Sequence, residues 1–388
     1  MNEAAPRPAS VQRHFGMDWL RIGAFLLLIL YHVGLAFGPW PFELKAAQPR
    51  DWVAIPLLGT NAWRLPLLFL VSGFASAALL RRQPSPGAFT RSRLARLGLP
   101  ILFAMLVLNT PQPWVALVTQ HDYLNSFPEF LVRDYYRPQD IDGVKVPTWM
   151  HLWFVVYLLV YTLLLGLALA LFRPALGPVK QVVERVLGGA LLLPLPVLAI
   201  FAARALLPPG WTDTNGLFDD WSAHAVYLPV FAFGLMLQRS QVLRSAIDRQ
   251  WKIGVVISLC AYAIIVAVEL RWPGNTPLPE ALKLPYQLVR SVQLWGTMIG
   301  LVGIANRFLD RDHRWRPILA EAVFPLYIIH QTIILVVGYW LLGTPTGALS
   351  RFLILVVATL GGSWLFYLGG RRISWLRPLI GLRRKVPS

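Results

Sequence analysis

Two histidines and several arginines stand in stretches where a bilayer makes ionisable groups expensive. His32 closes a run that starts at Arg21 and continues through Ile22-Gly23-Ala24-Phe25-Leu26-Leu27-Leu28-Ile29-Leu30-Tyr31, otherwise almost wholly apolar. A titratable side chain at that depth is rare and marks a functional site by default. Eleven residues at about 100° each make about three turns plus 20°, so Arg21 and His32 share a helix face, about 16 Å apart along the axis. That pairing suits receipt of a charged molecule at one surface and proton chemistry deeper in. Histidine titrates near neutrality and can take a proton from a hydroxyl and return it later. The other reading of His32 is a neutral ring hydrogen-bonded to a neighbouring helix. His330 lies in Phe324-Pro325-Leu326-Tyr327-Ile328-Ile329-His330-Gln331. Counted from the inner ends of their segments, His32 is about 15 residues in and His330 about 13, a similar depth at about 1.5 Å per residue. The two can therefore meet in one cavity, or His330 can simply orient its helix.

Thr90-Arg91-Ser92-Arg93-Leu94-Ala95-Arg96 brings Arg93 and Arg96 three apart, on one face if a helix has begun there. Guanidinium forks match phosphate oxygens bidentately, so with Arg21 they can hold a phosphate-bearing donor such as coenzyme A. A charge cluster that stops translocation is the competing reading. Arg64 lies well inside the next apolar span, about 24 Å from its inner end, and either snorkels or lines a wet cavity. Ser72-Gly73 permits close approach of a helix or a ligand chain. Trp153, in Met150-His151-Leu152-Trp153-Phe154, has the composition of an interfacial anchor. Arg204, Arg290 and Arg351 fall near outer helix ends, where snorkelling or a cationic vestibule for an anionic acceptor explains them.

The elements that must position these groups are helices. The chain has 388 residues, 56% hydrophobic and 14% charged, against about 25% charged for a soluble domain. Ten segments are long and apolar enough to span a bilayer: 17–38, 53–80, 95–119, 149–172, 186–207, 222–238, 252–270, 285–306, 317–342 and 350–370. Pro111 and Pro113 break the third. The expectation is an all-α polytopic membrane protein with about ten transmembrane helices and both termini cytoplasmic. Its parts are a tail over 1–16, a transmembrane domain over 17–370 and a basic tail over 371–388. On that topology the inner segments and their borders hold 24 Lys and Arg, and the outer loops seven. This bias fixes orientation and turns the net charge of +17 into a topology signal and an attraction to anionic lipid, not to nucleic acid. The outer loops hold more acid, including Asp213, Asp219 and Asp220. The long loop over 120–148 is either a lid or acceptor site, or a solvated connector.

The single cysteine, Cys260, allows no internal disulfide. The first apolar segment is too long for a signal-peptide core and is expected to be retained. There is no Gly-x-x-x-x-Gly-Lys-Ser/Thr loop, no His-Glu-x-x-His, no cysteine pair at metal spacing and no Gly-x-Ser-x-Gly elbow. No metal and no tightly bound cofactor is expected.

The chain resembles the membrane acyltransferase-3 family. Arg21 and His32 fit its Arg-x10-His signature, and the likeness continues through Phe69-Leu70-Val71-Ser72-Gly73-Phe74, Arg93-x-x-Arg96, His151-Leu152-Trp153-Phe154 and Tyr327-Ile328-Ile329-His330. Met17-Asp18-Trp19-Leu20-Arg21 and Trp63-Arg64-Leu65-Pro66-Leu67-Leu68-Phe69 are most similar to its glucan biosynthesis protein C branch, associated with succinylation of periplasmic glucans. The resemblance implies O-acyl transfer, succinyl or acetyl, from cytoplasmic acyl-coenzyme A as co-substrate to a hydroxyl of a periplasmic glucan or other envelope glycan, in a bacterial inner membrane. It implies His32 as the catalytic histidine with Arg21 as its partner. Arg93 and Arg96 would bind donor phosphates, and Ser72 and Trp153 would line the acyl or acceptor path. His330 and Arg64 are candidates for stabilising the oxyanion. A transporter of a polar glycan or anionic metabolite is the alternative, although no inverted repeat is visible.

Overall fold

The computed structural model describes residues 14–46, 49–207 and 214–384. Most of the expected N-terminal tail, Asp213 and the last residues of the basic tail lie outside them. Inside a bilayer every backbone N–H and C=O must be satisfied within the chain, and helices do this locally. The described residues are accordingly mostly helical, with one two-stranded hairpin among them. Seven helices are long and apolar enough to cross a membrane, or up to nine if each of two bent pairs counts as one span. By length and composition the described residues thus give a multi-pass architecture with seven to nine candidate spans, where the sequence reading expects about ten.

Helix α1 (Phe15–Leu35) carries both Arg21 and His32. α2 (Ala54–Asn61) and α3 (Arg64–Leu80) together make one span, interrupted at Ala62-Trp63. α4 (Pro86–Arg93) and α5 (Leu99–Phe103) are joined by a π-turn over Leu94–Gly98, and a second π-turn follows over Ala104–Leu108. The chain then bends by 45° into α6 (Pro111–Gln120). Pro111 cannot donate a helical hydrogen bond, so the break falls where the sequence places it. α7 (Phe127–Phe130) opens the long loop. A hairpin of β1 (Gln139–Ile141) and β2 (Val144–Val146) follows, paired Ile141 to Val144 across Asp142-Gly143. Both turn residues have positive φ, 50° and 87°, as a two-residue hairpin turn requires. The Tyr135 and Tyr136 hydroxyls donate to the Met105 and Leu106 carbonyls. Burial pushes the Tyr135 phenol up to about 12. The loop over 120–148 is therefore folded onto the bundle.

α8 (Trp153–Leu171) leads to α9 (Arg173–Leu187) and α10 (Pro194–Leu206), whose axes differ by 100° across the break. The stretch read as an inner loop over 173–185 is helical, and its Lys180–Glu184 ion pair, at 2.7 Å, suits a polar surface. α11 (Trp221–Arg239) occupies the expected segment 222–238 but is not among the seven apolar spans. Ser222, His224, Pro229 and Gln238 dilute its hydrophobicity. α12 (Gln241–Arg271), α13 (Glu280–Ile304), α14 (Arg316–Leu342), α15 (Ala348–Arg372) and the short α16 (Leu376–Leu379) complete the bundle.

Loops assigned to one side of the membrane meet one another. At the basic end the Gly16 amide donates to Asp310 at 3.2 Å, and Arg316 pairs with Asp18 at 2.8 Å. At the other end Gln120 donates to the Phe42 carbonyl and Asn275 to the Pro39 carbonyl, both at 3.0 Å. α1 packs on α14 and α3 on α11, and these pairs build the site.

Candidate active site

The shared face of α1 is turned to α14. Arg21 Nη2 donates to the Ala320 carbonyl at 3.0 Å, and about three turns further along His32 Nδ1 stands 2.9 Å from His330 Nε2. His330 is fully buried; His32 is partly exposed. Proton positions follow from the partners. His330 Nδ1 lies 2.5 Å from the Tyr327 carbonyl oxygen, which only accepts, so Nδ1 carries the proton. Nε2 of that neutral ring is then an acceptor, and His32 donates to it from Nδ1. The lone pair of His32 is left on Nε2, which has no partner among the described residues and is not one of their sealed polar atoms. His32 thus presents a fixed tautomer with its basic nitrogen free, the arrangement a general base needs.

The same network leaves His330 no free N–H, so it cannot serve as an oxyanion donor in this tautomer; it orients His32. A hydrogen-bond network lies beside it, beginning at His151, whose ring stands edge-on to that of His330 at 4.9 Å. His151 Nε2 donates to the Tyr327 carbonyl at 3.1 Å, and the Tyr327 hydroxyl returns a bond to the His151 carbonyl at 2.5 Å. His151 Nδ1 stands 3.4 Å from the Gln112 side-chain oxygen. Gln112 donates to Thr332 at 2.7 Å and to Asn109 at 3.1 Å, and Asn109 donates to the Trp149 carbonyl at 3.1 Å. The break before Pro111 frees Asn109 and Gln112 for these roles. Sequence reasoning passed over Asn109, Gln112 and Thr332; the doubled proline was the available signal. It quoted His151 but gave the role on that segment to Trp153.

On the basic side of the histidines lies a cavity of about 190 Å³ lined by Arg21, Ser72, Arg93, Arg96 and Glu321. Four residues singled out from the sequence therefore meet in one place. Arg96 sits in the first π-turn and Arg93 at the end of α4; such widened turns recur at functional sites. Nε of Arg21 and of Arg93 is buried without a partner. The cluster holds three guanidinium groups to one carboxylate, whose Oε1 already accepts from Tyr367 at 3.0 Å.

Trp153, expected with Ser72 to line the acyl or acceptor path, lines a different cavity from Ser72. Successive helix residues point about 100° apart, and Phe154 faces the basic cavity while Trp153 faces the second. This second cavity has a volume of about 560 Å³, with Arg64, Arg290 and Tyr227 on its wall and the loop residues Trp40, Asn215 and Thr276 towards its mouth. Aromatic rings separate the two cavities: Phe25 on Tyr327 at 5.3 Å, Phe69 on Phe154 at 4.6 Å and Phe69 on Tyr227 at 4.7 Å between centroids. Arg351 joins neither cavity and bonds the Thr344 carbonyl at 2.6 Å. No residue of the loop over 120–148 lines either one. Among the described residues no group of histidine, cysteine and carboxylate side chains has the arrangement of a metal site.

Comparison with known proteins adds the family. The acyltransferase-3 family model, described as an acyltransferase domain, matches residues 14–368. Glucans biosynthesis protein C of Escherichia coli O6:K15:H31 (strain 536 / UPEC) is 27% identical over 148 residues, 38% of this chain and 37% of that protein. The proteins of the same name from Escherichia coli O1:K1 / APEC and O139:H28 (strain E24377A / ETEC) match to the same extent. The match thus spans little more than a third of the length of these curated relatives. No solved structure matches. A family match from residue 14 to residue 368, laid over a multi-pass helical bundle, places the chain in the acyltransferase-3 family.

Proposed function

We propose that the chain is a membrane-embedded O-acyltransferase that moves a succinyl or acetyl group from acyl-coenzyme A, on the cytoplasmic face of a bacterial inner membrane, to a hydroxyl of a periplasmic glucan or other envelope glycan. The observation that carries this reading is the free Nε2 of His32, whose ring His330 fixes, on the same helix α1 whose Arg21 lines the arginine cavity; neither histidine is among the residues that line the two cavities. The Lys and Arg bias supports the orientation with the arginine cavity towards the cytoplasm. The name of the curated relatives supports a glucan acceptor.

The thioester supplies an activated acyl group, so the protein must place two substrates and move one proton. Arg21, Arg93 and Arg96 hold the donor phosphates, and Ser72 leaves room for the chain that follows. The acceptor hydroxyl gives its proton to His32 Nε2 as its oxygen bonds to the thioester carbonyl carbon. Collapse of the tetrahedral adduct breaks the carbon–sulfur bond. The imidazolium returns its proton to the departing thiolate, so the base is regenerated.

General-base catalysis contributes about 10²- to 10⁴-fold. His32→Ala, at wild-type abundance, should lower incorporation of labelled acyl groups into external glycan by that factor. Near-normal incorporation would falsify the role of His32. Glycan export that persists when acylation is lost would exclude the exporter reading.

A further inference from the structure

The larger cavity holds a cation that the chemistry above does not use. Arg64 lines it, is 5% exposed, and leaves Nε and Nη1 buried without a hydrogen-bond partner. Its guanidinium carbon lies 3.2 Å over the Tyr31 ring centroid, one residue before His32. The Tyr31 hydroxyl accepts from Asn61 at 2.6 Å, and Asn61 in turn accepts from Arg290 at 2.5 Å. The carboxylates on the same wall are engaged elsewhere. Asp220 caps α11 through the Ala223 amide at 3.3 Å, and Glu269 accepts from the Gly274 amide at 2.8 Å. Arg64 makes no ion pair among the described residues. A buried guanidinium with unmet donors is expensive, and an anion in the cavity that Arg64 lines offsets its charge. Beside it Trp153 and Tyr227 lie nearly parallel, 6.0 Å apart and 28° between planes, an aromatic surface on which a sugar ring can lie. At about 560 Å³ the cavity accommodates a disaccharide-sized ligand.

We infer that this cavity is an oxyanion-recognising subsite, in which Arg64 binds a carboxylate on the substrate while Trp153 and Tyr227 carry a sugar ring. The inference rests on the acyltransferase reading for what enters. The carboxylate has two sources, an acidic sugar of the acceptor or the distal end of a dicarboxylic acyl group such as succinyl. Arginine presents its donors as a fork that fits a carboxylate.

Calorimetric titration of the full-length protein in detergent tests it with two probe pairs. One is a glucuronosyl-glucose disaccharide and its neutral glucosyl-glucose counterpart; the other is monomethyl succinate and methyl butyrate. A charge-assisted pair predicts about tenfold tighter binding of one anionic probe over its neutral partner. Preference within the disaccharides places the charge on the acceptor; preference within the esters places it on the acyl chain. Arg64→Gln should erase the preference. If that variant fails to fold, Arg64→Lys, which keeps charge and loses the fork, should reduce it. Equal binding within both pairs overturns the inference, as does a folded Arg64→Gln variant that still discriminates. Binding needs no turnover, so a protein that prefers the anion but transfers no acyl group counts against the proposed function alone.

Discussion

His330 has both ring nitrogens engaged, Nδ1 on the Tyr327 carbonyl and Nε2 on His32. Its task is therefore to accept, and a replacement that accepts should rescue what one that cannot destroys. His330→Gln retains an oxygen towards His32 Nδ1, whereas His330→Leu leaves that N–H buried and unmet. A lost hydrogen bond of this kind is worth about 1–3 kcal/mol, so the leucine variant should turn over roughly tenfold or more below the glutamine variant. Equal rates, measured on variants of equal melting temperature, would remove His330 from the proton path. A second residue carries a pH signature. Glu43, in the loop after α1, accepts from Gln331 at 3.2 Å, and burial raises its carboxyl above the usual carboxylate range. A carboxyl raised in the fold favours the folded state below its ordinary titration range and loses that contribution as pH climbs through the raised value. Glu43→Gln keeps an acceptor for Gln331 without the charge, so its melting temperature should gain on the wild type as pH rises above the ordinary carboxylate range. A gap that stays constant with pH would refute this. His32 and His330 were legible because period and depth put them on facing helices. Glu43 and Gln112 were not, because Glu43 lies in the loop after α1 and Gln112 just past the break at Pro111, where helical period and depth no longer place a side chain opposite Gln331 or Thr332.

Helix α3 begins at Arg64 and passes Ser72, so one rigid element serves both cavities. Eight residues set those two side chains about 12 Å apart along its axis. Its position is fixed by a reciprocal contact with α11. A methyl on Gly73 would run into the Phe231 carbonyl, and one on Gly234 into the Leu70 carbonyl. Backbones this close admit no side chain between them. Gly73→Ala and Gly234→Ala should each destabilise by about 1–3 kcal/mol through overpacking. The double variant should lose less than the sum, since the first methyl already parts the helices. Gly361→Ala is the control, because a methyl there meets nothing within 4 Å. Unfolding in detergent reads all four proteins, and a Gly73→Ala variant as stable as Gly361→Ala would contradict the crossing. Ser72-Gly73 was readable as a close-approach pair, but its partner, on α11, was not. Apolar runs gave most helices and Pro111 gave the break; the 100° turn between α9 and α10 falls at Gly188-Gly189, a turn signal that the reading of 186–207 as one span passed over. It arises where a polar, amphipathic stretch meets an apolar one, and hydropathy alone reads the first as a loop.

Across the whole molecule, charge and aromatic character are divided between the two ends. Arg21, Arg93 and Arg96 converge at one, and tryptophan and tyrosine rings gather at the other with Arg64 and Arg290. Basic residues at a membrane surface orient a chain whether or not they bind anything, so the sequence left the arginines two readings. Convergence on one cavity is not required for orientation; scattered charges would serve as well. A phosphate-bearing donor does require it, because guanidinium groups must reach the same cluster of oxygens. The two roles separate experimentally. Arg93→Ala combined with Arg96→Ala leaves Arg81, Arg82 and Arg91 in place to hold the topology. Charge-assisted hydrogen bonds of about 1.5–3 kcal/mol each imply that this variant binds coenzyme A at least about tenfold more weakly in detergent. The wild-type affinity should fall as salt is raised, since the charges are screened, and the variant should respond less. Arginines that only orient the chain would leave affinity and salt response unchanged while altering accessibility of the loop over 81–94. That result, in a variant inserted normally, would detach the basic cavity from the donor.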